Sequence, residues 1–331
     1  MMKNVSDMTA LSSSGLFSLL LKNPFMVALL LITVLLIFGE TVSPGFASAD
    51  QIMRMLIVAA LLGIVAAGQN LVILGGGGGI DLSVGGIVSL SAVLAGNIMD
   101  GSNSAILTAA LICILVGGLF GLFNGLGVAF LHIPPLVMTM GMLGVLQGLL
   151  IVIRNGIPSG KVAPALSDFV VHPVLFGISG ILWLWLLIAL FMAFLLHRTV
   201  LGYRIYAVGS NEVTAFMTGI PVKIVRVSVY VLGGMFAALA GTCLLGYSGS
   251  SFSNVGDQYQ LPSIIAVVLG GTSLAGGKGA YTGTIAGAIL LTVLQSLLTT
   301  LNIDEAGRQI IFGMTLLILM LFYGRGKAMR G

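Results

Sequence analysis

Long apolar runs that polar residues barely interrupt, such as 55–74 and 105–131, constrain this chain more than any other feature. An apolar stretch of about 20 residues, coiled as a helix, matches the hydrocarbon thickness of a bilayer. In lipid every backbone N–H and C=O must be paired within the protein, so only helices or a closed barrel can cross. A barrel would show stretches of about 10 residues alternating between apolar and polar. These runs do not alternate, so helices are expected. Ten spans follow, near 25–43, 55–74, 82–99, 105–131, 134–153, 174–196, 226–247, 262–275, 281–301 and 309–323. The eighth is short and flanked by glycine, which fits a half-helix or re-entrant piece. The expected fold class is all-α, a polytopic membrane protein of about ten transmembrane helices.

Charged residues make up 7 % of the chain, too few to coat a water-facing surface, since soluble proteins carry about 25 %. The 47 glycines suit close helix packing in lipid. The longest polar stretches are too short to build a soluble core. Cys113 and Cys243 lie inside apolar runs and offer no disulfide framework. His132, His172 and His197 make no metal-ligand spacing. The triplet Ala47-Ser48-Ala49 looks like a signal-peptidase site. However, the run from Phe25 to Val42 exceeds a 7–15-residue signal core, so it reads as an uncleaved first helix.

Basic residues in short loops mark the cytoplasmic side. They gather in three places: Lys3 and Lys22; Arg198, Arg204, Lys223 and Arg226; and Arg325, Lys327 and Arg330. With ten spans all three fall on one side, so both termini are expected in the cytoplasm. The net charge of +4 then reflects loop asymmetry rather than nucleic-acid binding. The expected organisation is a cytoplasmic segment 1–24, a transmembrane domain 25–324 with a cytoplasmic loop 197–223, and a cytoplasmic tail 325–331. The loops 154–173, 248–261 and 302–307 are expected outside.

Nucleotide-binding motifs fail on inspection. A P-loop ending at Lys278 would need glycine where Thr272 stands, and Ser or Thr where Gly279 stands. The dinucleotide pattern fails because Ala280, Tyr281 and Thr282 follow Gly277-Lys278-Gly279. No nucleophile elbow or H-E-x-x-H helix occurs. No cofactor and no enzymatic activity are expected within the chain.

Three segments carry information. The first is 69–91, with five consecutive glycines (75–79) and then Asp81. Glycine costs about 1 kcal/mol per helical position relative to alanine, so the helix breaks at Gly79. An ionisable residue at membrane depth is a functional candidate by default. Asp81 can cap a helix starting at Leu82, or act on a transport pathway beside Ser83. The second is 197–223. Ser210, Asn211 and Glu212 read as a helix start, Ala215, Phe216 and Met217 as a short apolar face, and Gly219 as its end, before Ile220 and Pro221. A helix of about two turns is marginal alone and fits a docking element for a soluble subunit. The third is 266–284, where Gly270, Gly271 and Thr272 open a tight turn between two short helices. Gln69, Asn70, Asn124, Thr139, Gln147 and Gln295 sit in spans, either along a pathway or in helix–helix hydrogen bonds.

In this order, the stretches 78–92 (GGIDLSVGGIVSLSA), 133–149, 201–234 and 264–288 closely resemble the permease subunit of bacterial ribose-type ABC importers. The resemblance runs from about Phe25 to the C-terminus. It implies an inner-membrane permease forming half of a dimeric pore for a monosaccharide or related polyol. The family's coupling helix would fall on Gly209 to Gly219 and touch a cytoplasmic ABC ATPase. A periplasmic sugar-binding protein would dock outside, and a second permease subunit would complete the pore. The family usually has acids at Gln260 and Pro262, and Thr or Ser within the longer glycine run. Both departures are expected near the outer entrance or pathway, clear of the coupling loop. Other solutes, such as an autoinducer sugar, a nucleoside or a branched-chain amino acid, would suit the same type. A stand-alone secondary transporter would need intramembrane carboxylates, for which only Asp81 is placed.

Overall fold

A computed structural model describes residues 24–154, 160–252 and 254–328. Lys3, Lys22 and Arg330, on which the expected orientation partly rests, lie outside the described residues, as does nearly all of the segment 1–24. The helices are α1 (Pro24–Val42), α2 (Ala49–Leu74), α3 (Val84–Met99), α4 (Ile106–Ala129), α5 (Pro135–Arg154), α6 (Pro164–Val171), α7 (Gly180–Arg198), α8 (Val200–Ser210), α9 (Glu212–Met217), α10 (Val222–Ser248), α11 (Asp257–Leu269), α12 (Tyr281–Thr300) and α13 (Glu305–Ala328). A two-stranded hairpin, β1 (Pro173–Leu175) and β2 (Ile178–Ser179), sits before α7. Every expected span overlaps one of these helices. Seven described spans are long and apolar enough to cross a membrane.

The core forms around α2, which is buried over most of its length, and α10, which packs most extensively on α4 and then on α2 and α3. The α4–α10 seam is made by small residues. A Cβ on Gly117 or Gly121 would strike the backbone of Gly234 or Tyr230, and one on Gly125 would lie 2.8 Å from Val227 Cα. Backbones this close gain dispersion contacts where burial from water is not available. The opposite faces of α4, α5 and α7 expose Leu107, Leu115, Val152 and Leu187. An apolar surface on this scale is what a lipid-facing wall requires.

Two expected spans are shorter than a crossing. α3 has 16 residues and α11 has 13, or about 24 and 20 Å at 1.5 Å per residue, against about 30 Å of hydrocarbon. The chain before each dips into the bundle. Gln69 pairs with the backbone of Asp81 five residues before α2 ends, so 75–83 folds back along α2. Gly256 N donates to Ser89 Oγ at 2.9 Å, which places the start of α11 beside α3. The expected window 262–275 corresponds to α11 only as far as Leu269, since Gly271 adopts φ +87°.

Two further differences concern polar connections. The expected span 174–196 begins at Gly180, because Phe176 and Gly177 take positive φ (52° and 74°) and turn the hairpin. The segment 197–223 holds two helices, not one. Thr199 caps α8 by accepting from Gly202 N at 3.1 Å, and Asn211 caps α9 by accepting from Thr214 N at 3.0 Å. α9 is six residues long, shorter than the expected two turns.

Candidate functional site

Glycine-rich backbone brings three sequence-distant segments into contact: 75–79 after α2, 209–211 at the end of α8, and 270–280 between α11 and α12. A Cβ on Gly209 would strike Leu74 O and lie 2.5 Å from Gly277 N. One on Gly76 would lie 2.7 Å from Gly209 Cα, and one on Gly277 would lie 2.5 Å from Ser210 N. Gly277 N donates to Leu74 O at 2.9 Å across this junction. Tyr206 Oη donates to Gly279 O at 2.8 Å, tying α8 to the third loop, and burial pushes its phenol up from the usual range. The glycine run was expected near the outer entrance or pathway and away from the coupling loop. Instead it lies against that loop, and Arg226 Nη2 would be 2.6 Å from a Cβ on Gly77.

The expected docking element differs in one respect: Ala215 does not share a face with Phe216 and Met217. Ala215 is buried against the protein, whereas Val213, Phe216 and Met217 are exposed by 66–78 %. Glu212 Oε2 accepts from Arg226 Nη2 at 2.8 Å, so α9 is latched to the first turn of α10. This pair is half-exposed, and such pairs contribute under about 1 kcal/mol. Its effect is on position more than on stability. Gly219 takes φ +81°, and Gly219 N donates to Phe216 O at 3.0 Å, closing α9. Ile220, Phe216, Val213 and Glu212 then line a cleft of about 680 Å³ that Phe130 and Ile224 complete. Lys223 Nζ sits 5.1 Å above the Phe130 ring on its edge.

Asp81 is fully buried and does not cap a helix at Leu82. α3 begins at Val84, and Asp81 Oδ1 accepts from Ser83 N (2.8 Å) and Ser83 Oγ (2.6 Å). That is a turn one step ahead of the helix, built by the short acidic side chain that favours such local bonds. Asn124 Nδ2 donates to Ser83 Oγ at 2.8 Å and links the turn to α4. Gln69, with its amide oriented to satisfy both groups, pairs with Asp81 N and O at 3.2 Å. Asp81 Oδ2 has no hydrogen-bond partner among the described residues. A second buried network ties the third loop inward: Asn70 Nδ2 donates to Thr272 Oγ1 (2.9 Å) and Thr284 Oγ1 (3.0 Å).

The residues expected to couple to an ATPase (Gly209, Ser210, Asn211, Glu212, Ala215, Gly219, Ile220) and those expected at helix breaks (Gly79, Asp81, Ser83, Gly270, Gly271, Thr272) therefore belong to adjoining structures. Gly79 N donates to Gly76 O (3.0 Å), and Gly76 abuts Gly209. Gly270 packs on Gly283, so it holds α11 against α12 rather than touching α9. Sequence reasoning missed Arg226 as the latch, whereas Asn70 and Asn124, expected either on a pathway or in helix–helix hydrogen bonds, make such bonds. The signal available for them was a polar residue in an apolar run, which does not name its partner.

Together these features define a multi-pass membrane permease: an apolar helix bundle with inward-turning loops and an exposed amphipathic element at one end. The chain belongs to the family described as the branched-chain amino acid transport system / permease component, whose model matches residues 51–320. Among similar proteins is the autoinducer 2 import system permease protein LsrC of Escherichia coli O157:H7, 36 % identical over 300 residues, covering 89 % of this chain and 86 % of that protein. The permease of the same description from Salmonella paratyphi B is 35 % identical, covering 90 % and 85 %. That from Shigella flexneri is 35 % identical, covering 92 % and 87 %. No solved structure matches the chain. The permease class expected from the resemblance is borne out.

Proposed function

We propose that this chain is the inner-membrane permease of an ATP-driven ABC importer, carrying a small polyhydroxylated solute such as a ribose-like sugar or autoinducer 2. The observation that carries the reading is α9, a capped apolar helix latched by Glu212–Arg226 at the junction of three glycine loops. A six-residue helix with Val213, Phe216 and Met217 exposed is poorly stable in water alone. Seated in a groove of a cytoplasmic ATPase, it would bury those side chains as helix-in-groove contacts do. A push on α9 would then reach 75–79 and 270–280 by backbone contact, and through them the starts of α3 and α12. A periplasmic solute-binding protein delivers the cargo on the far side, and a second permease subunit, identical or paralogous, completes the pore. Both termini, the loop 197–223 and the tail 325–331 lie in the cytoplasm. The choice of autoinducer 2 as a cargo leans on the names of the similar permeases.

Purification of the tagged chain in mild detergent from native membranes, followed by mass spectrometry, tests the reading. A stoichiometric ATPase subunit is the expected companion, and its loss in a Phe216→Asp, Met217→Asp double variant would place the contact on α9. A chain that purifies free of any ATPase and still transports in liposomes would overturn the proposal.

A further inference from the structure

Six of the chain's seven glutamines line two neighbouring clefts. Gln147, Gln258, Gln260, Gln295 and Gln309 converge on the first, of about 440 Å³, from α5, α11, α12 and α13. Gln295 also lines the second, of about 320 Å³, opposite Gln51 and Arg54. The seventh, Gln69, is the one that holds Asp81. The five gathered from four separate helices thus share a place that sequence order alone does not explain.

The first cleft opens at the surface of the protein, where Gln147, Asp257, Gln258 and Gln309 are exposed, and reaches inward to Leu82, just before α3, and to the buried Phe312. Gln147 is exposed near the middle of α5, between the exposed Val145 and Ile151. An amide with no partner is strongly disfavoured against hydrocarbon, so the cleft gives the Gln147 amide a polar neighbourhood that its apolar flanking residues do not. Among the described residues, the amides of Gln147, Gln260 and Gln295 make no hydrogen bond within the protein. The charge of Glu305 is already taken by Arg308 at 2.6 Å. What remains is five amides, which both donate and accept, with the Asp257 carboxylate, which forms no ion pair among the described residues, and Phe312 beside them. That is the complement of a neutral polyhydroxylated molecule, whose hydroxyls also donate and accept. The volume suits a small ligand.

We infer that this cleft is the holding site for the transported solute, a small neutral sugar or polyol, with Gln147, Gln260 and Gln295 as specificity-determining residues. The inference rests on the importer reading above and adds the place and chemistry of solute contact.

Two readouts test it in the intact importer. The native thiols, Cys113 and Cys243, are buried, so single cysteines can be introduced for labelling. Gln147→Cys and Gln260→Cys are expected to react with a charged, membrane-impermeant thiosulfonate at least tenfold faster than Val152→Cys on the exposed apolar face of α5. Equal rates would overturn a water-filled cleft. Uptake of labelled ribose and of autoinducer 2 is then compared with ATP hydrolysis. Gln260→Leu and Gln295→Leu are each expected to lower solute moved per ATP about fivefold, as loss of one hydrogen bond does, with Gln260→Asn partly restoring it. Variants that transport like wild type overturn the cleft alone. A wild-type importer that takes up neither probe overturns the solute reading and this inference with it.

Discussion

Gly209→Ala separates helix propensity from packing, because the two oppose each other at this position. Gly209 is the penultimate residue of α8, where alanine is favoured over glycine by about 1 kcal/mol. The added methyl, however, would strike Leu74 O and lie 2.5 Å from Gly277 N. Both atoms are backbone and cannot rotate away. Overpacking of this kind costs about 1–3 kcal/mol. The methyl also wedges apart the Gly277 N–Leu74 O hydrogen bond of 2.9 Å, and a buried bond broken without replacement costs about 1–3 kcal/mol more. The net expectation is a loss of about 3 kcal/mol. At about 2 °C per kcal/mol for a chain of this size, the detergent-purified protein should melt about 6 °C lower. Gly148→Ala on α5 is the control, because nothing lies within 4 Å of its Cβ position. It should leave the melting temperature unchanged or raise it by about 2 °C. Should the two variants melt within 1 °C of each other, the backbone junction of the three loops is not as tight as described.

Other expectations follow from the same geometry. Glu212→Lys reverses the charge facing Arg226 and should abolish uptake while leaving membrane insertion intact, as fractionation and transport assays would show. Gly219→Pro should do the same, since proline is locked near φ −65° and Gly219 sits at +81°; uptake surviving both changes would remove α9 from the coupling path. Asp81→Ala loses both bonds to Ser83 and should cost about 2 kcal/mol, whereas Asp81→Asn keeps an acceptor and should cost less. A thermal melt compares them, and a stable but inactive Asp81→Asn protein would assign the carboxylate a role in transport. Asn70→Leu strands Thr272 and Thr284, so a loss of about 2–3 kcal/mol is expected, and an unchanged melt would refute the buried network.

The apolar runs made the helices legible because hydropathy depends on composition, which a window along the chain captures. Hydropathy does not report where a helix stops inside the bilayer. For that reason 82–99 read as a full span although α3 falls short of a crossing, whereas the glycines flanking 262–275 did signal that α11 is short. The hairpin at 173–179 was hidden the same way, since Val174, Leu175 and Phe176 extend the apolar run that becomes α7. α8 was overlooked for the opposite reason: its polar residues masked a helix that Thr199 caps. Within the site, the docking element was readable from local signals at Asn211, Glu212 and Gly219. The contact of Gly76 with Gly209 and Gly276 was not, because glycine carries no side chain whose pattern could announce a distant neighbour. The glutamines were visible as polar residues, but only the fold shows that five of them face one another.

Gly85 and Gly256 meet where two inward-turning segments reach each other. The loop 75–83 leads into α3 from the end where α10 begins, and 254–256 lead into α11 on the side where α10 finishes. Where they meet, a Cβ on Gly85 would lie 3.0 Å from Gly256 O. Only glycine leaves room for such an approach, so the join between the two segments is made of backbone alone.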